Sequence, residues 1–122
     1  MPTVEEGLRK FCETWNSIKD VVIPNLPAGF SRFLGKRFNC EIRGGECFVL
    51  DMGLEGARLE RGKDPQAHVT ICMEEEDWLK VLKGEYSIWS VMIAGRLALS
   101  LEESQLAVML GHVLQSFGLL LR

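Results

Sequence analysis

The chain has 122 residues, of which 47% are hydrophobic and 25% charged, and its formal net charge is −3. This size and composition are typical of one folded domain covering residues 1–122, and they exclude a disordered chain. Lysines and arginines are scattered along a weakly acidic chain, so no basic surface is expected for nucleic acid. No signal peptide or other targeting segment is visible, which favours a cytoplasmic protein of prokaryotic source.

The four cysteines, Cys12, Cys40, Cys47 and Cys72, lack the C-x-x-C spacing of zinc and redox sites. Reduced thiols are therefore expected, in keeping with a cytoplasmic location. A hairpin would bring Cys40 and Cys47 opposite each other, so a disulfide between these two stays the alternative.

The first segment has the pattern of an amphipathic helix. Thr3 to Glu6 matches a capping box, in which a threonine and a glutamate satisfy backbone donors at the helix start. Apolar residues then recur at helical spacing, at Val4, Leu8, Phe11, Trp15 and Ile18. Pro24 and Pro27 end this helix, and one short helical turn is expected from Phe30 to Leu34.

Four segments that follow are predicted to be strands, because apolar and polar residues alternate in them. They occupy residues 38–42, 48–52, 57–61 and 67–73. An odd, three-residue loop from Gly44 to Glu46 would pair Ile42 with Phe48 and align the apolar faces of the first two strands. A two-residue loop would reverse one face, so the odd loop is favoured.

Helices and one more strand are predicted after these. The acidic run Glu74 to Asp77 favours a helix start, and Gly84 a helix end. A short apolar helix is expected within Tyr86 to Ala94. Arg96 to Leu101 alternates again and predicts a fifth strand. This order of elements indicates an α+β fold with helices on one face of a sheet.

The last segment, Ser104 to Leu121, carries no charged residue and has the length of a membrane span. Its pattern favours an amphipathic helix instead, begun by a Ser100 and Glu103 capping box, so no transmembrane segment is predicted. The apolar face holds Leu106, Met109, Leu110, Val113, Leu114, Phe117, Leu120 and Leu121. The opposite side holds Gln105, Gly111, His112, Gln115 and Ser116. This helix either packs on an ordinary core or covers a cavity for an apolar ligand.

No catalytic residue, metal site or cofactor is predicted. His68 and Cys72 lie four residues apart on one strand, about 13 Å, which is too far for proton transfer. The sequence contains no P-loop, G-x-S-x-G or H-E-x-x-H motif. An enzyme would require His112, Cys72 or Glu74 to line a cleft.

The middle of the chain resembles the sterol-carrier-protein lipid-transfer domain. The similarity rests on three consecutive pieces: Val69–Met73, then Asp77–Glu85 with Gly84 near its end, then Ile88–Leu97 with Gly95 before the last predicted strand. It is strongest over residues 67–100 and extends over 38–121.

The resemblance implies a five-stranded, mainly antiparallel sheet covered on one face by helices, with an apolar tunnel between the two layers. It implies non-catalytic binding, transfer or presentation of a fatty acid, a fatty acyl-CoA or a sterol-like lipid. The last helix would act as a lid. The inward apolar positions that would line the tunnel are Phe48, Leu50, Met52, Ile71, Trp78, Leu82, Trp89, Met92, Leu99, Met109, Val113 and Phe117.

Methionines at Met52, Met73, Met92 and Met109 lie in four different elements, which suits a site that adapts to apolar ligands. Ordinary core packing is the more common reason for a methionine at such positions. The alternative function is therefore an interaction module with a filled core that assists a partner enzyme or forms a homodimer. Its docking face would be the exposed apolar residues within Tyr86 to Ala94, or Leu119 to Leu121.

Overall fold

In the computed structural model the described residues are 3–120, apart from the side chains of Phe30 and Leu120. One helix, four strands and three further helices follow in chain order, which confirms the expected α+β class. The helices are α1 (Val4–Val22), α2 (Glu75–Leu82), α3 (Ile88–Ile93) and α4 (Leu101–Leu120), and the strands are β1 (Lys36–Ile42), β2 (Cys47–Gly53), β3 (Gly56–Arg61) and β4 (Val69–Met73). Two 3-10 turns, Ile23–Asn25 and Phe30–Phe33, follow α1.

The sheet has the strand order β3-β2-β1-β4. β2 pairs antiparallel with both β1 and β3, whereas β1 and β4 run parallel. The expectation of five mainly antiparallel strands is therefore wrong: within residues 3–120 the sheet has four strands and is mixed. The predicted fifth strand is not formed. Only four residues separate the bend at Arg96 from the start of α4 at Leu101, and Leu101 is 79% exposed.

The parallel pairing arises from the connection between β3 and β4, which lie at opposite edges of the sheet. Residues 62–68 cross the face of the sheet that the helices leave uncovered, and Asn39 on β1 holds them there. Its Nδ2 donates to the carbonyl of Asp64 at 2.9 Å and to Oγ1 of Thr70 at 3.0 Å. Its Oδ1 accepts from the Asp64 amide at 2.9 Å. A crossover of this kind allows parallel neighbours, which a hairpin cannot.

The β1–β2 hairpin keeps the predicted faces but not the predicted register. Cys40 pairs with Phe48, and the amide of Ile42 donates to the carbonyl of Glu46 at 2.9 Å. The loop therefore has three residues, 43–45, and the expected pairing of Ile42 with Phe48 is wrong by two positions. Gly44, with a φ of 73°, allows the tighter turn. Because the shift is even, the apolar faces stay aligned.

The core lies between the sheet and the helices. The buried apolar side chains of the strands are Phe38, Cys40, Phe48, Leu50, Met52, Ala57, Val69, Ile71 and Met73. Helix α1 covers them with a buried stripe. Thr3 caps its N-terminus, since the Thr3 hydroxyl accepts from the amide of Glu6 at 3.1 Å. Asn16 of α1 exchanges two hydrogen bonds with the backbone of Ala57, at 3.0 and 2.7 Å, and so satisfies part of the free edge of β3.

Helix α4 begins with the predicted capping box, since Ser100 and Glu103 exchange hydrogen bonds of 3.3 and 3.2 Å. Two of its glycines pack closely against neighbouring elements. A methyl group on Gly111 would lie 2.8 Å from Ile88, and one on Gly118 would overlap the backbone of residues 82–84. Gly111 is thus buried, and its expected place on the polar side is wrong. The side chains of Leu120 and Leu121 lie outside the described residues. Within residues 3–120 no helix has the length and apolarity of a membrane span.

Candidate ligand-binding site

An apolar pocket of about 180 Å³ lies between the end of α1 and the second half of α4. Its lining residues are Val22, Leu26, Pro27, His112, Val113, Ser116 and Phe117. Val113 and Phe117 are buried, whereas His112 is exposed and Ser116 half-buried. The interior is therefore almost entirely carbon, and the polar side chains lie on its outer side.

Local sequence explains both walls. On one side, Pro24 lies in the 3-10 turn after α1, and Asn25 donates to the carbonyl of Val21 at 2.6 Å, so the chain turns back with Leu26 and Pro27 against the pocket. On the other side, Val113 and Phe117 lie four residues apart and share one face of α4.

Four aromatic residues, Phe11, Trp15, Phe33 and Phe117, pack beneath the pocket, and we call them the aromatic cluster. The ring centroid of Phe117 is 5.2 Å from that of Phe11 and 5.9 Å from that of Trp15. Trp15 and Phe33 are 5.8 Å apart in an edge arrangement. Phe117 therefore belongs both to the pocket lining and to the cluster, and separates one from the other.

The indole N–H of Trp15 has no hydrogen-bond acceptor among the described residues, although Trp15 is 0% exposed. Trp78 is equally buried, but its Nε1 donates to the carbonyl of Glu41 at 2.8 Å. Buried donors are nearly always satisfied in native proteins, so the Trp15 N–H is an exception that calls for an explanation.

The structure distributes the twelve predicted tunnel residues over four settings. Five are fully buried in the core: Phe48, Leu50, Met52, Ile71 and Trp78. Four are half-buried around it: Leu82, Met92, Leu99 and Met109. Val113 and Phe117 line the pocket, and Trp89 is 53% exposed on α3.

The sequence prediction missed the other wall of the pocket, formed by Val22, Leu26 and Pro27. A signal for Val22 was present, because it continues the four-residue spacing from Ile18 along α1. Leu26 and Pro27 carried no such signal, since they lie in a connection without periodicity.

The condition stated for an enzyme, that His112, Cys72 or Glu74 line a cleft, is met by His112 and by Glu74. His112 lines the apolar pocket, but the neighbouring Ser116 hydroxyl donates to the His112 backbone carbonyl at 2.8 Å instead of to a ring nitrogen. Glu74 lines a separate polar depression, where it pairs with Arg43 at 3.1 Å. Burial, and next a hydrogen bond with Glu41, raise the pKa of the Cys72 thiol, which disfavours a nucleophilic thiolate.

No group of three or more histidine, cysteine or acidic residues is placed to hold a metal ion within the part of the chain described. All four cysteines are free. Cys40 pairs with Phe48, and Cys47 with Glu41, so the two thiols are not opposite each other in the hairpin. The alternative of a disulfide between Cys40 and Cys47 is therefore wrong.

A larger groove of about 780 Å³ lies between α1 and the β2–β3 turn. Asn16, Lys19, Glu55 and Arg58 are among its lining residues, and it opens widely to solvent. An alkyl chain placed there would stay largely hydrated against charged groups, so the smaller apolar pocket is the better candidate for an apolar ligand.

The fold is similar to solved sterol carrier proteins. Palmitated SCP2L2 from Aedes aegypti matches with a TM-score of 0.61 and 20% identity, covering 89% of this chain and 92% of that one. A ubiquinone synthesis protein, UbiJ-SCP2, matches with a TM-score of 0.58 and 16% identity over 88% and 94%. A Thermus thermophilus protein described as possibly a sterol carrier protein matches with a TM-score of 0.57 and 18% identity over 95% and 89%.

At these identities the structural likeness shows the fold alone. No curated protein sequence matches the chain. The sequence pattern that defines the SCP-2 sterol transfer family matches residues 16–102, which is most of the chain, and it confirms the resemblance found in residues 67–100. The chain therefore belongs to the SCP-2 sterol transfer family, a family of lipid-binding and lipid-transfer domains.

Proposed function

We propose that this protein binds a fatty acid, a fatty acyl-CoA or a sterol-like lipid in the pocket between α1 and α4. It would carry the lipid, or present it to an enzyme, as a single cytoplasmic domain without covalent chemistry. The observation that carries this proposal is an apolar pocket backed by the aromatic cluster in a member of a lipid-transfer family. The palmitated state of the Aedes aegypti relative supports the choice of an acyl chain among the ligands.

The pocket volume sets how much of a lipid can enter. About 180 Å³ is smaller than typical ligand pockets, which hold about 300–1,000 Å³. It accepts a short alkyl segment, and burying five methylene groups would contribute about 4 kcal/mol. A longer chain needs Phe117 to rotate away from Trp15, which would extend the pocket toward the predicted tunnel residues between the sheet and the helices.

The packing of α4 indicates which parts can move. The face of α4 that packs on residues 82–84 is held in place. Gly118 contacts the backbone of these residues, and the side-chain amide of Gln115 donates to the Gly84 carbonyl at 3.5 Å. On the pocket side, the buried side chains of Val113 and Phe117 face Val22, Leu26 and Pro27. We therefore infer entry by movement of Phe117 and the Leu26–Pro27 segment, with α4 held in place instead of lifting as a lid.

Two neighbouring valines provide a matched test. Val22 lines the pocket and is half-buried, whereas Val21 is 70% exposed. Val22→Phe should fill the pocket and weaken binding of a fluorescent fatty-acyl probe about tenfold or more, equivalent to about 1.4 kcal/mol. Val21→Phe adds the same atoms to the solvent side and should leave the affinity unchanged. Equal affinities in both variants, or no saturable binding by the wild type, would refute the proposal.

One observation favours the interaction module as a second candidate. Helix α3 has no charged residue, and Trp89 and Ile93, four residues apart, are 53% and 68% exposed. We propose a second copy of the chain as the occupant of this uncharged face. Sedimentation velocity should then show a dimer that Ile93→Glu dissociates and Val21→Glu does not. A monomer at every concentration would refute this alternative.

A further inference from the structure

Trp15, whose buried indole N–H has no acceptor among residues 3–120, packs against Phe117 of the proposed site. Phe117 lines the pocket and packs on Trp15 in a tilted arrangement, with a centroid distance of 5.9 Å and an interplanar angle of 37°. Phe11 and Phe33 occupy two other sides of Trp15, at 6.2 and 5.8 Å. Rotation of Phe117 would therefore place an entering ligand next to an indole whose donor has no partner among residues 3–120.

A buried donor without an acceptor costs about 1–3 kcal/mol of stability. Replacing this indole with phenylalanine or leucine would remove that cost, since the surroundings are apolar. The energetic penalty is understandable if the N–H is satisfied when the ligand is bound. A site that holds a buried donor discriminates strongly for ligands that bring an acceptor.

We propose that Trp15 is a specificity-determining residue that donates its Nε1–H to a neutral oxygen atom of the bound lipid. This inference rests on the proposed apolar-ligand function and narrows its ligand class. The favoured ligands carry a carbonyl or hydroxyl oxygen on an apolar body, close to the end that enters first.

The surroundings favour a neutral oxygen over a carboxylate. The aromatic rings of Phe11, Phe33 and Phe117 pack around Trp15, which belongs to the buried apolar core. A single neutral N–H cannot compensate for removing a full negative charge from water, whereas it satisfies most of the hydrogen bonding of a carbonyl. A fatty acid would therefore leave its carboxylate at the outer side of the pocket.

Four probes of similar length isolate this hydrogen bond. Pentylbenzene has a methylene group where valerophenone has a carbonyl and 1-phenylpentan-1-ol has a hydroxyl, and 5-phenylpentanoate carries a terminal carboxylate. We expect the affinity ratio of valerophenone to pentylbenzene to be about three- to tenfold higher in the wild type than in Trp15→Phe. The affinity ratio of 1-phenylpentan-1-ol to pentylbenzene should change in the same way as that of valerophenone, which would show that either neutral oxygen suffices. The ratio for 5-phenylpentanoate should be the same in the wild type and in Trp15→Phe. Trp89→Phe, the same change at an exposed tryptophan, should leave every ratio unaltered.

A second readout does not depend on any variant. In spectra of ¹⁵N-labelled protein, saturation with valerophenone should move the Trp15 indole signal downfield, and pentylbenzene should not. The Trp78 indole, already bonded to Glu41, should stay in place. If Trp15→Phe fails to fold, this measurement decides alone. A stationary Trp15 signal or unaltered ratios would overturn the inference and leave the apolar-ligand function standing, whereas failure of every probe to bind would overturn both.

Discussion

Arg96 binds the carboxylate of Asp77 through two parallel hydrogen bonds, Nε to Oδ2 at 2.9 Å and Nη2 to Oδ1 at 3.0 Å. Asp77 is only 5% exposed in the first turn of α2, and Arg96 lies in the bend that follows α3. The pair therefore joins the two helices against which α4 packs. Asp77 also supports the dipole of α2, as the sequence predicted for this acidic run, but its pairing with Arg96 depends on the tertiary fold.

We expect Asp77→Asn to lower the Tm by about 3–8 °C, since it removes a charge-assisted acceptor that is buried and bidentate. Glu74→Gln removes the partner of Arg43 in an exposed pair and should change the Tm by about 1 °C or less. Thermal unfolding followed by circular dichroism measures both. Equal Tm changes in Asp77→Asn and Glu74→Gln would mean that the burial of Asp77 adds nothing to the stability provided by its ion pair.

The glycines of α4 are expected to differ in their tolerance of alanine. Gly118→Ala would press a methyl group into the backbone of residues 82–84, which cannot rotate away, and should cost about 3 kcal/mol or more of unfolding free energy. Gly111→Ala meets Ile88 at 2.8 Å from its Cβ, Cγ1 and Cδ1, so α3 has to shift slightly, but this contact is less severe than the backbone overlap at Gly118. Gly111→Ala gains the same helix propensity of about 1 kcal/mol. Urea denaturation should therefore give a much lower free energy of unfolding for Gly118→Ala than for Gly111→Ala. The reverse order would contradict the close approach of α4 to this loop.

Local sequence signals predicted the elements that depend on nearby residues. The apolar spacing from Val4 to Ile18, the capping pair Ser100 and Glu103, and the helix end at Gly84 all have causes within a few positions. Alternation also predicted which strand residues face the core, because a register shift of two positions in the β1–β2 hairpin leaves the faces unchanged.

Features that depend on distant parts of the chain were not predicted. The parallel pairing of β4 requires Asn39 to hold Asp64, which is 25 residues away. The absence of a strand after Arg96 follows from the early start of α4, which the alternation of leucines in that segment does not reveal. The wall of the pocket at Leu26 and the unsatisfied N–H of Trp15 are visible only once the helices are packed.

Glu5, which joins α1 to the edge strand β3, should contribute stability that is lost in acid. Hydrogen bonds from Arg61 and Arg9, at distances down to 2.8 Å, hold the pKa of Glu5 below its ordinary value of 4.5. A lowered carboxyl pKa contributes stability that is fully present above 4.5 and is lost as the pH falls through the lower folded-state pKa. Glu5→Gln should therefore reduce the Tm at about pH 7 and have a much smaller effect at about pH 3.

The control for this pH dependence is Glu13→Gln, which changes an exposed carboxylate on the same helix. Its Tm difference from the wild type should be small at both pH values. Differential scanning calorimetry across the acid range provides the comparison. A Glu5→Gln effect that stays constant down to the lowest pH would show that this carboxylate contributes no pH-linked stability.

The cysteine thiols should react slowly with thiol reagents. Two charged neighbours, Glu41 and Arg43, should change the reaction rate of Cys72 in opposite directions. Burial raises the pKa of Cys12 to about 11 and also raises that of Cys40, so both should resist a thiol reagent such as DTNB until the protein unfolds. Cys72 is partly exposed, and its pKa is raised by burial and next by Glu41, but lowered by Arg43. Glu41→Gln should therefore speed its reaction at about pH 8, and Arg43→Gln should slow it.

Cys47 also faces the outer side of the sheet, so the rates are best measured in a Cys47→Ser background, where Cys72 is the remaining partly exposed thiol. We expect one slow reaction in the native state and three thiols titrated in denaturant. Opposite effects of Glu41→Gln and Arg43→Gln are the critical result, because loss of packing alone would speed the reaction in both variants. If Cys72 instead reacts fast while Glu41 and Arg43 are unchanged, its thiol is ionised at neutral pH. That result would favour a catalytic cysteine on this face.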